Sequence, residues 1–314
     1  MTEPIVYFNG KYLPDSGARL PLLTHGLHYG TGVFEGIRGY HEAGAGEIHL
    51  FRAREHFERM QRNVKFLHLH LPLPPADLVG VAAELVRRNG FASDVYVRPI
   101  SFKSSARVGV VLPEEESFAM AVVALGRYLD TGKGIHLGVS SWRRIEDNAI
   151  PCRGKICGGY VNSALAAQEA RDRGFDEGIL LNEDGHVAEG SAMNIFLVRE
   201  GRLVTPDVSQ GILEGITRDS LITLARDEMA VPTEERAVDR TELYVADEVF
   251  LCGTAAEVAP VIRIDGRPVG TGRPGPLTLR LKKAFEEVVR GRVDRYRIWL
   301  EPCLHPVARG AGAA

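Results

Sequence analysis

Lysine is scarce in this 314-residue chain, and that makes each one readable. Of 38 basic residues only seven are Lys, at positions 11, 65, 103, 133, 155, 282 and 283. Lys11 adjoins a hairpin turn, Lys65 sits on a helix, Lys103 and Lys133 fall in polar or glycine-rich loops, and Lys282-Lys283 ride the last helix. Lys155 stands apart, in AIPCRGKICGGYVNSALAAQ, ringed by Gly154, Ile156, Cys157, Gly158 and Gly159 directly before a helix. An amine with few water-exposed neighbours is desolvated, its pKa falls, and more of it is free to attack a carbonyl and form a Schiff base. The glycines let a flat cofactor approach the backbone. By position alone, a solvated turn lysine competes with this reading.

Two segments look like anion cradles, a glycine followed by a small hydroxyl residue at the head of a helix or turn. In LEGITRDSLITLARDEM, Gly215, Ile216 and Thr217 precede a helix whose Leu221, Leu224, Ala225 and Met229 share the core-facing side. Its first N–H groups and the positive end of its dipole would then meet an anion. In LCGTAAEVAP, Gly253 and Thr254 offer a similar turn at a strand end. Neither is a Walker loop, because Gly-Lys-Ser/Thr is missing, and for each a plain cap or turn competes. Glu189, in HVAEGSAMNIF, sits between Ala188 and Gly190, where a carboxylate is partly buried and needs a cationic partner. A protonated pyridine nitrogen would serve. One lysine, one carboxylate and two anion cradles make the set required by pyridoxal phosphate: imine, ring nitrogen and phosphate. A surface hairpin glutamate is the competing reading of Glu189.

The elements that must position these groups follow from spacing. Asn9-Gly10 between IVYF and KYL signals a hairpin. Phe57, Met60, Val64 and Leu67 recur at helical intervals, predicting a helix from about residue 52, and a second runs over 76–89 to Asn89-Gly90. VYVRPISF, FAMAVVAL and IHLGVSSW read as strands, with GRYLDTGKG between the last two as a linker. Helices are predicted over 161–173, 217–229 and 276–290. Asp184-Gly185, Glu200-Gly201 and Asp265-Gly266 are hairpin turns, so the later half reads as largely antiparallel. Without regular βαβ alternation or a Gly-x-Gly-x-x-Gly, the pattern argues α+β rather than a Rossmann fold. The division is residues 1–124 as a small α+β domain, 125–135 as linker, and 136–314 as a larger domain carrying Lys155, with a frayed tail after Pro306.

Composition narrows the partners. With 41 acidic against 38 basic residues the net charge is -3, which offers no field for nucleic acid or an anionic membrane, so small molecules are expected. The longest apolar run, FAMAVVAL, is far short of the ~20 residues of a membrane helix, and no basic-then-apolar leader opens the chain. Four cysteines (152, 157, 252, 303) are too few for a disulfide framework and lack zinc spacing, which fits a reducing cytoplasm. His68-Leu69-His70, with His56 upstream, lacks the further ligands of a metal site, and Cys152 and Cys157 read as ordinary thiols. No metal is expected.

Residues Glu189 through Asn194-Ile195-Phe196, Leu203-Val204-Thr205 and Leu213-Glu214-Gly215-Ile216-Thr217-Arg218 match, in type and gap, the signature of class IV aminotransferases. LHYGTGVFEGIR, FRAREHFERM, VYVRP, NAIPCRGKICGGY and ADEVFLCGTAAEVAPV extend the likeness over most of the chain, which resembles the branched-chain amino acid aminotransferases within that family. The tail after about 291 resembles them only loosely.

The resemblance implies a two-domain fold type IV enzyme related to D-amino acid aminotransferase, a homodimer or higher homo-oligomer with its active site between domains and at the subunit interface. Lys155 matches the lysine that holds the cofactor and shuttles the substrate Cα proton, and Glu189 the partner of the pyridine nitrogen. Arg59, Ile216, Thr217 and Thr254 match the phosphate site, and Tyr160 the tyrosine on the ring oxygen. Phe34, Gly36, Tyr96, Arg98, Tyr128, Thr254 and Ala255 would surround the amino acid, with Tyr29 supplied by the neighbouring subunit. Aromatic walls with an arginine and hydroxyls at one edge would take both an aliphatic side chain and the glutamate γ-carboxylate. The expected reaction moves the amine of leucine, isoleucine or valine to 2-oxoglutarate in a ping-pong cycle. D-amino acid or (R)-amine transamination and an aminodeoxychorismate lyase are rivals on the same fold, and a cofactor-free binding protein is a rival of another class. Two departures, Leu125 where bacterial branched-chain enzymes often carry Trp and the loop KSSARVGVVLP, fall at the side-chain pocket.

Overall fold

A computed structural model describes residues 3–126 and 133–304, which leaves Tyr128, part of the expected linker and the tail from His305 outside the described residues. The chain forms two compact units, and the first takes residues up to His28, Phe34–Gly126, and the chain from Glu287 onward.

The first unit opens with the hairpin β1 (Ile5–Phe8) and β2 (Lys11–Pro14). Asn9 and Gly10 both have positive φ, the backbone of a two-residue turn whose twist matches the strands. Then follow α1 (His25–Tyr29), β3 (Gly32–Phe34), β4 (Ile37–Glu42), β5 (Glu47–Phe51), α2 (Ala53–Asn63), α3 (Pro75–Asn89), β6 (Val95–Lys103) and β7 (Glu116–Ala124). α2 buries Ala53, His56, Phe57, Arg59, Met60 and Asn63, so its inward stripe carries an arginine, a histidine and an asparagine beside three apolar side chains. α3 starts on Pro75, where proline's fixed φ suits the first turn, and stops at Gly90 in the left-handed conformation. The sheet order is β17-β5-β4-β6-β7-β1-β2, in which β17 (Leu300–Pro302) comes from the chain's far end to pair antiparallel with β5. Buried Glu47 secures that return by accepting the N–H groups of Cys303 (3.0 Å) and Leu304 (2.6 Å). Arg87 donates to the Cys303 carbonyl at 2.9 Å.

The second unit gathers Tyr29–Val33 and the chain from residue 127 to Glu286. Its described elements are β8 (Ile135–Arg143), α4 (Tyr160–Asp172), β9 (Glu177–Leu181), β10 (Val187–Gly190), β11 (Asn194–Arg199), β12 (Arg202–Thr205), α5 (Ile216–Met229), β13 (Thr233–Glu235), β14 (Glu248–Gly253), β15 (Glu257–Ile264), β16 (Arg267–Pro268) and most of α6 (Pro276–Val289). The sheet order is β10-β9-β8-β15-β14-β11-β12-β13, with β16 on β15. Three of its pairings, β8 with β9, β8 with β15, and β12 with β13, are parallel. The half expected to be built largely from antiparallel hairpins is therefore mixed: β8, α4 and β9 make one crossover unit, and β9 is buried at every position, as parallel strands are. The core contains Val139, Ile179, Val187, Ile195, Leu197, Leu251 and Ala259. β10, β11, β14 and the head of α5 carry Glu189, Asn194, Thr254's turn and Ile216-Thr217, so this sheet places most of the candidate chemistry.

Candidate active site

Lys155 lies in the second unit on the segment between β8 and α4, half-buried rather than enclosed. Its Nζ is 2.5 Å from the hydroxyl of Tyr160, the first residue of α4, and 5.0 Å from that ring's centroid. The segment is pinned from behind. Ile156 bridges to Val33, the Gly158 N–H donates to the Gly30 carbonyl at 3.0 Å, and Gly30 has φ +65°. A Cβ on Gly30 would fall 2.6 Å from the Gly158 Cα, so two glycines in contact bring residues 29–33 against the lysine loop. Cys152 is buried with its thiol on the Ile145 carbonyl, and burial pushes that thiol's pKa up, as befits a structural cysteine.

Glu189 is on β10 and almost wholly buried. Its Oε1 is 3.0 Å from Arg144 Nη2, while Oε2 accepts from the Leu213 N–H at 3.1 Å and Asn194 Nδ2 at 3.2 Å. Burial raises its pKa, against the opposing pull of Arg144, the Leu213 hydrogen bond and the charge of Lys155. The thiols of Cys152 and Cys252 also feel its charge, and burial takes Cys252 up to about 12. The surface-hairpin reading of Glu189 is excluded by this enclosure. Arg144, its cationic partner within the chain, gave only a weak sequence signal: an arginine pair at the end of a strand, one member of which turns inward.

The head of α5 follows a few residues on. Gly215 is its N-cap in extended conformation and no side chain caps it, Thr217 is buried, and the first turn is secured by Arg218, which donates to the Pro206 carbonyl (3.0 Å) and Glu235 (2.7 Å). Thr254 and Ala255 occupy the turn joining β14 to β15 and are half-buried.

The first unit holds a separate group. Arg98 lies over the rings of Phe34 (4.6 Å) and Tyr96 (5.1 Å), and a Cβ on Gly36 would overlap the Tyr96 hydroxyl. Gly36 thus leaves room for that hydroxyl, and the aromatic–arginine edge expected from Tyr96-Val97-Arg98 is present as a cluster. Arg59 grips buried Glu35 with two parallel bonds, Nε to Oε1 at 2.7 Å and Nη2 to Oε2 at 2.8 Å. His56 Nδ1 meets Oε2 at 2.8 Å, and an ionised carboxylate only accepts, so Nδ1 carries the proton. Sequence reasoning found neither Glu35 nor His56 as Arg59's neighbours; the helical i, i+3 spacing of His56 and Arg59 was the available signal. Leu125 is half-buried and Tyr29 is 37% exposed. In the variant loop, Val108, Val110 and Val111 stand 80%, 80% and 73% exposed.

The donor set of the second unit suits a flat aromatic aldehyde bearing a phosphate. It offers an amine beside a phenol, a buried carboxylate for a protonated ring nitrogen, and a helix N-terminus whose cap leaves an anion-binding end.

The Amino-transferase class IV family profile matches residues 32–264, and the chain belongs to this family. It is 46% identical over 297 residues to a probable branched-chain-amino-acid aminotransferase of Aquifex aeolicus (strain VF5), covering 94% of this chain and 96% of the relative. Among solved structures, the branched-chain aminotransferase of the thermophilic archaeon Thermoproteus uzoniensis with norvaline is 40% identical, with a TM-score of 0.91 and coverage of 96% of this chain and 99% of that one. The branched-chain amino acid aminotransferase of Thermobaculum terrenum, solved in its PLP-bound holo-form, is 37% identical, with a TM-score of 0.92 and coverage of 96% and 99%.

Proposed function

We propose that this protein is a pyridoxal phosphate-dependent branched-chain amino acid aminotransferase, moving the amine of L-leucine, L-isoleucine or L-valine to 2-oxoglutarate. The observation that carries the reading is Lys155 set 2.5 Å from the Tyr160 hydroxyl in the same compact unit as buried Glu189. When bound, pyridoxal phosphate supplies an aldehyde for the amine and an electron sink for the charge left at Cα.

The chain's own groups do the rest. The Lys155 amine would hold the cofactor and, when free, would take and return the proton at the substrate Cα. Tyr160 orients that amine and the ring oxygen. Glu189 keeps the pyridine nitrogen protonated, a task that requires the carboxylate to be ionised despite its burial. Arg59, Ile216, Thr217 and Thr254 hold the phosphate. Phe34, Gly36 and Tyr96 receive the aliphatic side chain, Arg98 and Tyr128 the γ-carboxylate of glutamate, and Thr254 and Ala255 the α-carboxylate. A second copy contributes Tyr29, in a homodimer or larger homo-oligomer. Its exposed position supports this role, as do exposed Leu20, Leu22, Leu23, Leu27 and the valines of the variant loop. Among the described residues the four cysteines form no disulfide, which suits a reducing cytoplasm.

The absorption spectrum of the purified protein, titrated separately with L-leucine, D-alanine and (R)-1-phenylethylamine without keto acid, tests the reading. Loss of the yellow band with L-leucine alone is expected. Bleaching by D-alanine or the amine instead would move the protein to the D-amino acid or amine branch, and a colourless protein indifferent to added cofactor would remove the enzyme reading altogether.

A further inference from the structure

The two side chains that hold Glu189 each hold a second thing, and it is the same second thing. Arg144, whose Nη2 meets Glu189 Oε1 at 3.0 Å, donates from Nε to the Gly211 carbonyl at 2.9 Å. Asn194, whose Nδ2 meets Glu189 Oε2 at 3.2 Å, donates from the same atom to the Leu213 carbonyl at 2.9 Å. The Leu213 N–H completes the set on Oε2 at 3.1 Å. The turn 211–215 is thereby stapled to the carboxylate from both sides, and the next residue, Ile216, begins α5. Gly215 is shaped to this arrangement. Its φ of -71° and ψ of 130° are ordinary for any residue, yet a Cβ there would overlap Asn194 Oδ1. The glycine is required by the neighbouring amide rather than by its own backbone.

We propose that Arg144 and Asn194 are positioning residues that fix the gap between the Glu189 carboxylate and the N-terminus of α5, so that the ring nitrogen and the phosphate of one cofactor molecule are bound cooperatively. The inference rests on the assignment of those two ends in the proposed function. Each end alone binds weakly, but a fixed and correct separation makes the second contact intramolecular once the first has formed, and an error in the gap removes that gain without removing either contact. A loose carboxylate would still ionise and a loose helix would still attract an anion; only their joint action would fail.

The test titrates the apoenzyme calorimetrically with pyridoxal, with inorganic phosphate and with pyridoxal 5'-phosphate, in the wild type and in Asn194→Ala, Gly215→Ala and Arg144→Lys. The last keeps the charge on Glu189 but has one ammonium where the guanidinium reached two acceptors. For each variant, the loss in affinity for pyridoxal 5'-phosphate should exceed the product of its losses for the two fragments by about tenfold or more. Asn194→Ala should also remove most of the effect of Gly215→Ala in the double variant, because the added methyl no longer overlaps the amide oxygen and meets only the Arg218 Cβ at 3.3 Å; a general loosening of the fold would add instead. Losses confined to pyridoxal and equal for the whole cofactor would overturn the coupling and leave Asn194 and Arg144 serving Glu189 alone. Unchanged binding in every variant would overturn it too. A wild-type apoenzyme that binds neither fragment and no cofactor would instead strike at the site assignment itself.

Discussion

A carboxylate with no exposed surface stays ionised only when its surroundings supply charge and donors, and Glu35 and Glu189 meet that need to different degrees. Glu35 has the Arg59 fork and the His56 N–H, which together hold its carboxyl well below its ordinary value of 4.5 despite complete burial. Because the folded pKa is depressed, Glu35 contributes stability that is fully present above the unfolded value and is lost as the pH falls through the folded one. Glu35→Gln should therefore lower stability to urea by ~3–5 kcal/mol at neutral pH, since it strands a buried guanidinium, and the deficit should shrink as the pH is taken down below 4.5. Urea midpoints measured at neutral and acid pH decide it, and a deficit that stays constant with pH would reject the assignment. Glu189 has one arginine and two neutral donors against the same burial, and its pKa moves up instead. Lys155 gives the sharpest residue-level expectation: Lys155→Ala should abolish transamination, with kcat down by roughly 10⁴-fold or more, while the circular dichroism spectrum is unchanged. Full activity in that variant would remove the proposed mechanism. At this scale the sequence spoke through rarity. One lysine among glycines, and a signature running from Glu189 to Arg218, picked out the candidate amine, carboxylate and helix head. Arg144, Glu35 and His56 gave at most a weak signal, because arginine, glutamate and histidine are ordinary surface residues until folding brings partners to them.

Elements were legible wherever a local rule governs them. Asn9-Gly10, Glu200-Gly201 and Asp265-Gly266 all adopt paired positive φ angles and all close hairpins, so the turn chemistry alone placed six strands. The helices at 53–63, 75–89, 160–172, 216–229 and 276–289 follow apolar spacing and their glycine or proline punctuation. The parallel pairings of β8 and β12 were illegible, because which distant strand lies alongside is set by tertiary packing, and a buried strand such as EGILL has no alternation to report. Residues 29–33 were likewise unreadable as a backstop for the lysine loop, since a glycine-to-glycine contact leaves no pattern at a distance of more than a hundred residues. That contact gives an element-level prediction. Gly30→Ala puts a side chain in the left-handed region, at roughly 1–2 kcal/mol, and also drives a methyl into the Gly158 backbone. The segment must move off the loop, so kcat should fall while the melting temperature drops by only a few degrees. An unchanged kcat would show that the lysine loop holds its shape without residues 29–33.

For the molecule as a whole, the α+β class and the mixture of one mainly antiparallel sheet with one mixed sheet are carried by 314 residues of ordinary composition and a net charge of -3. Nothing in that composition selects an activity; the assignment comes from the family signature and from the few side chains the two sheets present. Surface composition does bear on assembly. Leu22 is 79% exposed and Val108 and Val110 80% each, and Leu27 and Val111 of the same unit are exposed as well. Light scattering should give a mass at least twice the 34.4 kDa of one chain, and Leu22→Asp with Val110→Asp should shift it toward the single-chain value. A monomeric wild type would refute the shared site that Tyr29 is proposed to complete.

The return of the chain's end into its first unit also sets a timetable. Ribosomes release a polypeptide from its N-terminus, so β5 emerges with its outer edge unpaired and Glu47 without the N–H groups of Cys303 and Leu304, which are still roughly 250 residues from being made. The stretch that supplies nearly all of the second unit ends at Glu286, about fourteen residues ahead of β17, so the second unit is made in full before the first unit can close. Order of birth and order of completion are thus reversed for the N-terminal part of the first unit, which must wait with an open sheet edge, a template for pairing with a foreign strand, until the last strand arrives.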